Sequence, residues 1–289
     1  MTWVDATLAH SRLSRDLLEY YVQLACLLEV SAAKPGNVTP AHDFSDTTYA
    51  DMVRSGLALG PVFARRRART RGVGELISDG VRATARVTKA NTNLGIVLLF
   101  APLVRAAVIR EREEALRSAT ERALAQLDVD DAAAAFAAIA QVRPGGLGKA
   151  PEHDVTAPAR VSLREAMAAA ADRDSIASEY TTGYAIVFDT GVRLLADALR
   201  DGMPTLDAIV SLHLGLIASH PDTLIERKAG PTAARAVTAA AREVRDGRRS
   251  LADFDASLRG PDHRLNPGTS ADLVAATLLA ALLLGVNLP

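Results

Sequence analysis

The chain predicts an all-α fold: a single-domain multi-helix bundle over residues 1–289, with its site formed by helix ends and loops. Three observations predict it. Of the 289 residues 49% are apolar but only 4% aromatic, so the core must be built from Ala, Leu, Val and Ile, which suit closely approaching helices. Apolar residues recur at helical spacing, as in Leu17, Leu24 and Leu28, seven and four residues apart. Alternating β-branched runs are almost absent, and Pro and Gly punctuate the sequence at Pro35-Gly36, Gly60-Pro61, Pro144-Gly145-Gly146, Gly202 with Pro204, Gly230-Pro231 and Pro267-Gly268.

These breakers and the periodicity place helices, in order, at 8–32, 46–67, 72–89, 93–109 and 112–127. Further helices are expected at 130–141, 158–170, 174–199, 204–218, 229–246, 248–258 and 269–285. Ile186-Val187-Phe188 is the best strand candidate, but it continues a helical pattern from Ile176 to Leu195. The stretch from Glu111 to Ala140, charged on one side and Ala-rich on the other, reads as a protruding hairpin or a cover over the core. No linker or internal repeat divides the chain.

Composition excludes several classes of partner. With 33 basic and 34 acidic residues the net charge is −1, which gives no nucleic-acid footprint. Arg65-Arg66-Arg67 with Arg69 and Arg71 is the one dense basic run, read as a solvated loop or an anion or partner patch. The single cysteine, Cys26, lies in an apolar helical stretch and cannot form an internal disulfide, so a cytoplasmic protein is expected. No signal peptide is apparent. The apolar run from Leu273 to Val286 is shorter than the roughly 20 residues a bilayer requires, so it reads as a buried helix rather than a membrane span. Apolar Ala/Leu faces are compatible with a homodimer.

The chemistry is concentrated in polar islands between the helices. Lys34-Pro35-Gly36-Asn37 ends the first helix: Pro35 stops it, Gly36 permits a positive φ or a close approach, and Asn37 offers donor and acceptor. Lys34 is suited to a phosphate, or to solvent at a helix end. His42, Asp43 and Asp46 follow, a set able to bind Mg²⁺ or orient a proton-transfer group, although Asp46 also fits a simple cap. Asp79 shares a helix face with Glu75. In Asn91-Thr92-Asn93 capping accounts for one asparagine and leaves the other to read a base, ribose or phosphate.

Gly145-Gly146-Leu147-Gly148-Lys149 is not a Walker A motif, since neither Ser nor Thr follows Lys149 and no strand precedes it, but its amides are able to cradle an anion. Glu152-His153-Asp154 lacks zinc-site spacing, and oxygen-ligated Mg²⁺ fits better. Asp222 and Glu226, one turn apart if the segment is helical, precede Arg227 and Lys228, a basic pair for phosphate or for local ion pairs. Thr269, Ser270 and Asp272 open the last helix, where capping explains Ser270 well and Asp272 in part.

Taken in order, these segments resemble the triphosphoribosyl-dephospho-CoA synthase family over most of the chain. The carriers are Glu29 to Val38 (EVSAAKPGNV), Ala41-His42-Asp43, Asn91 to Gly95, Gly145 to Gly148, Asp222 to Lys228 and Gly268 to Leu273. The resemblance implies an all-helical, ATP-using enzyme that joins the ribosyl triphosphate part of ATP to the ribose of 3′-dephospho-CoA and releases adenine. It implies nucleotide contacts from Lys34, Gly36, Asn37, Asn91, Asn93, Gly145, Gly146, Gly148, Arg227 and Lys228. It also implies a catalytic set drawn from Asp79, Asp154 and His42, with Mg²⁺ on Asp43, Asp46, Glu152 and Asp222.

Two departures bear on the substrate. Family members carry NTHKG-like residues where this chain has Asn91-Thr92-Asn93-Leu94-Gly95, and Asp-Thr-Asn-Val followed by Arg-Gly-Gly where it has Asp222 to Lys228. This pattern is similar to a divergent branch found with one-carbon, methanopterin-type cofactor biosynthesis, and it implies either a weaker phosphate contact or an acceptor other than dephospho-CoA. The sequence therefore predicts a Mg²⁺-dependent transferase acting on a nucleotide and a phosphorylated small molecule. The alternatives are a Mg²⁺-dependent helical glycohydrolase and a non-catalytic nucleotide-binding protein of a cofactor pathway.

Overall fold

The computed structural model describes residues 13–65, 70–142 and 152–288. Among them are fourteen α-helices and no strand. The first seven are α1 (Arg15–Ser31), α2 (Tyr49–Phe63), α3 (Val73–Ala85), α4 (Leu94–Ile109), α5 (Leu116–Ala125), α6 (Val129–Val142) and α7 (Leu163–Ala168). There follow α8 (Ser175–Thr182), a π-helical turn (Ile186–Gly191), α9 (Val192–Arg200), α10 (Thr205–Ser219), α11 (Thr223–Ala229), α12 (Pro231–Arg245), α13 (Leu251–Leu258) and α14 (Gly268–Leu283).

Two helices, α4 and α14, form the centre. Both are apolar around nearly their whole circumference, as expected of helices enclosed by others. α14 packs against α1, α4, α10 and the π-helical turn, and the run from Leu273 to Leu282 is buried throughout. This is the buried helix expected of the C-terminal run. Among the described residues no single helix is long and apolar enough to cross a membrane. The stretch from Glu111 to Ala140 lies as a cover: α5 packs on α4, and α6 on α3. A second apolar cluster around Ile217, Ile225, Val237 and Phe254 joins α10 to α13.

Prolines inside helices are accommodated by specific partners. Pro102 has no N–H to offer the carbonyl four residues back, on Leu98. The Tyr180 hydroxyl of α8 donates to that carbonyl at 2.7 Å, and Tyr184 donates to Leu99 O at 2.7 Å. Pro61 in α2 strands Leu57 O in the same way, and Gln23 Nε2 of α1 donates to it at 3.1 Å. Each break is thus mended from a neighbouring helix, which fixes that neighbour's position. Tyr180→Phe should cost about 1–3 kcal/mol by stranding a buried carbonyl. In a Pro102→Ala background, where the introduced alanine supplies the missing N–H, the same change should cost clearly less. Denaturant unfolding of the four proteins measures this coupling, and equal costs in both backgrounds would refute the pairing.

The predicted single helix over 174–199 is interrupted, for a local reason. α8 ends at Gly183 (φ 66°), and the buried Tyr184 follows it into the left-handed region (φ 61°). The Glu179 carboxylate then accepts from Ile186 N and Val187 N, both at 2.9 Å, and restarts the chain as the π-helical turn containing Ile186-Val187-Phe188. Burial pushes Glu179 up to about 7. The helix expected over 229–246 begins at Pro231, and the segment from Thr223 to Ala229 forms α11 as a separate short helix.

Candidate active site

The N-termini of the two central helices open into one cavity of about 970 Å³. Leu94, Gly95 and Ile96 of α4 line it, as do Gly268, Thr269, Ala271 and Asp272 of α14. The first amides of a helix lack intrahelical acceptors and carry positive potential, so this end of the bundle favours negative charge. The volume lies at the upper end of the ~300–1,000 Å³ common for small-molecule sites.

Several buried polar atoms in the cavity wall have no protein partner: Glu29 Oε2, Asn37 Oδ1, Asn93 Nδ2 and Arg227 Nε. Such groups are rare in a wall that only packs, because each costs about 1–3 kcal/mol unless something else satisfies it. Asn93 is held by its other end, where Oδ1 accepts from Thr84 Oγ1 at 2.9 Å. Ser55 and Thr92 pair beside it at 2.6 Å. Asn93 begins α4 yet makes no side-chain cap, so its amide is directed to another purpose. Arg227 Nη1 is paired with Asp174, whose Oδ1 caps α8 through Ile176 N and Ala177 N.

Acidic groups crowd the inner end. Glu29, Asp174 and Asp272 all line the cavity. Burial first, then the charges of Glu29, Asp222 and Asp174, hold Asp272 well above the ordinary aspartate range. Its carboxylate lies so closely against α4 that a Cβ on Gly95 would displace it. Behind Glu29, the fully buried Lys34 Nζ pairs with Glu29 Oε1 at 2.9 Å. Burial and the neighbouring Lys34 charge push His213 down to about 3, so its ring is neutral at pH 7.

Of the residues singled out from sequence, Asn37, Asp46, Asn91, Asn93, Glu152, Asp154, Arg227 and Lys228 line the cavity. Thr156 N and Oγ1 donate to Asp154 Oδ1 at 2.9 and 2.6 Å and orient its carboxylate. Gly145, Gly146 and Gly148 lie outside the described residues.

Six others do not line it and have structural duties instead. Lys34 sits behind the wall in its ion pair. Gly36 takes φ 73° and packs so tightly on Leu258 and Pro267 that a Cβ would meet both at 2.9 Å. His42 forms a small backbone bridge with Thr39, and Asp43 Oδ1 accepts from Tyr49 N at 2.6 Å at the start of α2. Asp79 of α3 is held by Arg71, just before the helix, and by Arg82. Both oxygens of the buried Asp222 are engaged: Oδ1 caps α11 through Leu224 N and Ile225 N, and Oδ2 accepts from Ser270 N and Oγ. It is a clasp between α11 and α14, with no oxygen left for a metal.

Glu29, Asp174 and Asp272 were not singled out from sequence as site residues. The signal for Glu29 was a glutamate set in the buried stripe of Val22, Ala25, Cys26 and Val30. For Asp272 it was an acid near the start of an otherwise apolar helix.

A helical bundle whose central helices open their N-termini into a cavity lined also by Lys89, Arg227 and Lys228 and by buried carboxylates has the make-up of a site for an anionic ligand. The chain belongs to the CitG family, described as ATP:dephospho-CoA triphosphoribosyl transferase, which matches residues 15–287. The family defines a transferase with ATP among its substrates. No curated protein matches the chain significantly. Among solved structures, a provisionally assigned triphosphoribosyl-dephospho-CoA synthase from Archaeoglobus fulgidus shares the fold with TM-score 0.64 and 24% identity, covering 81% of this chain and 99% of its own.

Proposed function

We propose that this chain is a Mg²⁺-assisted transferase that moves the ribosyl triphosphate of ATP to a phosphorylated acceptor other than dephospho-CoA. The observation that carries the reading is the set of unpartnered buried polar atoms, Glu29 Oε2, Asn37 Oδ1, Asn93 Nδ2 and Arg227 Nε, in the wall of one cavity. Phosphate oxygens satisfy Asn93 Nδ2, the first amides of α4 and the Arg227 guanidinium, with Lys228 and Lys89 on the same wall.

Among the described residues no three His, Cys, Asp or Glu side chains form a ready-made metal cluster. Mg²⁺ commonly binds through one or two carboxylates plus water and substrate phosphate, so a smaller donor set suffices. Glu29 with its unpaired Oε2 and Asp272, crowded by the neighbouring acids and eased by a cation, fit that role. When bound, Mg²⁺ supplies charge neutralisation for the triphosphate.

Asp154, oriented by Thr156, takes the proton of the acceptor hydroxyl as its oxygen attacks the ribose anomeric carbon. The bond from that carbon to adenine breaks through an oxocarbenium-like state, which the carboxylates of the floor favour. Adenine leaves with a proton from water. Asn93 and Leu94 replace a His-Lys pair of the wider family, which removes positive charge from this wall and supports a changed acceptor.

Mass spectrometry of reactions containing ATP, Mg²⁺ and either dephospho-CoA or one-carbon cofactor precursors tests this. Free adenine with an acceptor-linked triphosphoribosyl product from a precursor other than dephospho-CoA is expected. Free ribosyl triphosphate alone would show a glycohydrolase, and preferred use of dephospho-CoA would overturn the altered acceptor.

A further inference from the structure

Phe44, in the loop before α2, and His263, in the loop before α14, stack face to face at the cavity with centroids 3.9 Å apart and planes 14° apart. The pair is only partly buried. His263 holds a positive φ of 49°, and Ser45 N donates to its Nε2 at 3.4 Å, which fixes the ring under Phe44. Two loops distant in sequence thus present a stacked aromatic surface to the cavity.

We infer that Phe44 and His263 form a stacking platform for an adenine ring, with the Asn37–Asn266 amide pair reading its edge; this rests on the nucleotide reading above. Asn37 Nδ2 donates to Asn266 Oδ1 at 2.6 Å. That contact leaves the buried Asn37 Oδ1 as an unpaired acceptor and the Asn266 amide as a donor, in two residues that line the cavity. A neighbouring acceptor and donor complement the amine and ring nitrogen of adenine, the pairing by which an asparagine amide reads that base.

Charge sorts the two ends of the cavity. An unpaired carbonyl oxygen cannot serve a phosphate, and the nearby Asp46 and Asp262 carboxylates repel one but accept from an amine. Arg259, the cation beside Asn37, is already engaged by Asp255 and by the Asn37 carbonyl. The aromatic end is therefore the base end. Adenine is common to ATP and to any acceptor built on an adenine nucleotide, so binding must tell these sources apart.

Calorimetric titration of the full chain with tripolyphosphate, ATP, GTP and dephospho-CoA tests the platform. Wild type should bind ATP more tightly than GTP, whose oxygen at the amine position faces Asn37 Oδ1. Phe44→Ala and His263→Ala should weaken ATP, dephospho-CoA or both by roughly 10–100-fold, while leaving tripolyphosphate unchanged. Phe44→Trp should keep the affinity. The ligand that loses affinity identifies whose adenine is stacked.

If wild type binds ATP and tripolyphosphate but neither alanine variant loses any adenine ligand, the platform is refuted. A loss of tripolyphosphate in step with ATP refutes it too, since the rings would then only hold the loops. Wild type binding neither ATP nor tripolyphosphate would overturn the nucleotide reading itself, and the platform with it.

Discussion

Asp272→Asn should abolish transfer while leaving the protein as stable as wild type, or more so. The carboxylate is buried and faces the negative charges of Glu29, Asp222 and Asp174, so its ionised form is costly to the fold. Asparagine keeps the shape against Gly95 and removes the charge. It also removes one of the two acidic groups suited to Mg²⁺ on the triphosphate. Loss of several kcal/mol of charge stabilisation corresponds to a fall of at least ~100-fold in turnover.

The pH dependence has a defined sign. The folded-state pKa of Asp272 lies above its unfolded value, so its contribution to stability is present below the ordinary aspartate range and is lost as pH rises through the folded value. Thermal midpoints across pH should fall less toward neutrality in Asp272→Asn than in wild type. A variant that is less stable yet fully active would show that the carboxylate only packs.

The second large effect concerns Lys34. Its side chain is 0% exposed and that of its partner Glu29 only 3%. Lys34→Ala leaves the Glu29 charge buried without its counterion, a change that costs about 3–5 kcal/mol and lowers the melting temperature by roughly 10 °C. Pairing Lys34→Met with Glu29→Gln removes both charges and should recover much of the loss. Because Lys34 lies behind the cavity wall, triphosphate affinity should change only as far as Glu29 moves. A Lys34→Ala protein of normal stability that had lost ATP binding would place the ammonium on the ligand instead.

Lys34 also illustrates where the sequence was legible. A lysine beside Pro-Gly-Asn at a helix end reads equally well as a phosphate contact or a solvated cation, and the structure makes it neither. Its partner Glu29 is five residues earlier, inside an apolar stripe, and only the turn at Pro35-Gly36 folds the lysine back onto it. Asp222 is similar: local spacing shows a cap for α11, but its second oxygen serves Ser270 across the fold. The helices themselves were legible because Ala/Leu periodicity is local. The break after Thr182 was not, because it depends on a carboxylate seven residues upstream of the amide it caps.

Asn93 was the most readable residue of the cavity wall. One asparagine more than capping required stood at the head of the most apolar stretch, and the structure leaves its amide unpaired in the cavity wall. Phe44 and His263 gave no comparable signal, since their pairing joins loops that periodicity cannot connect.

The central claim is that this cavity binds a nucleotide triphosphate through the head of α4. Calorimetric titration of ATP into wild type and Asn93→Ala, with and without Mg²⁺, tests it most directly. Wild type should bind ATP more tightly with Mg²⁺, and Asn93→Ala should bind about 10-fold more weakly or worse, as expected for a hydrogen bond of about 1.5–3 kcal/mol to a charged group, while melting only a few degrees lower through the loss of its Thr84 bond. Absence of ATP binding to wild type under both conditions, or equal affinity in the two proteins, would contradict the account.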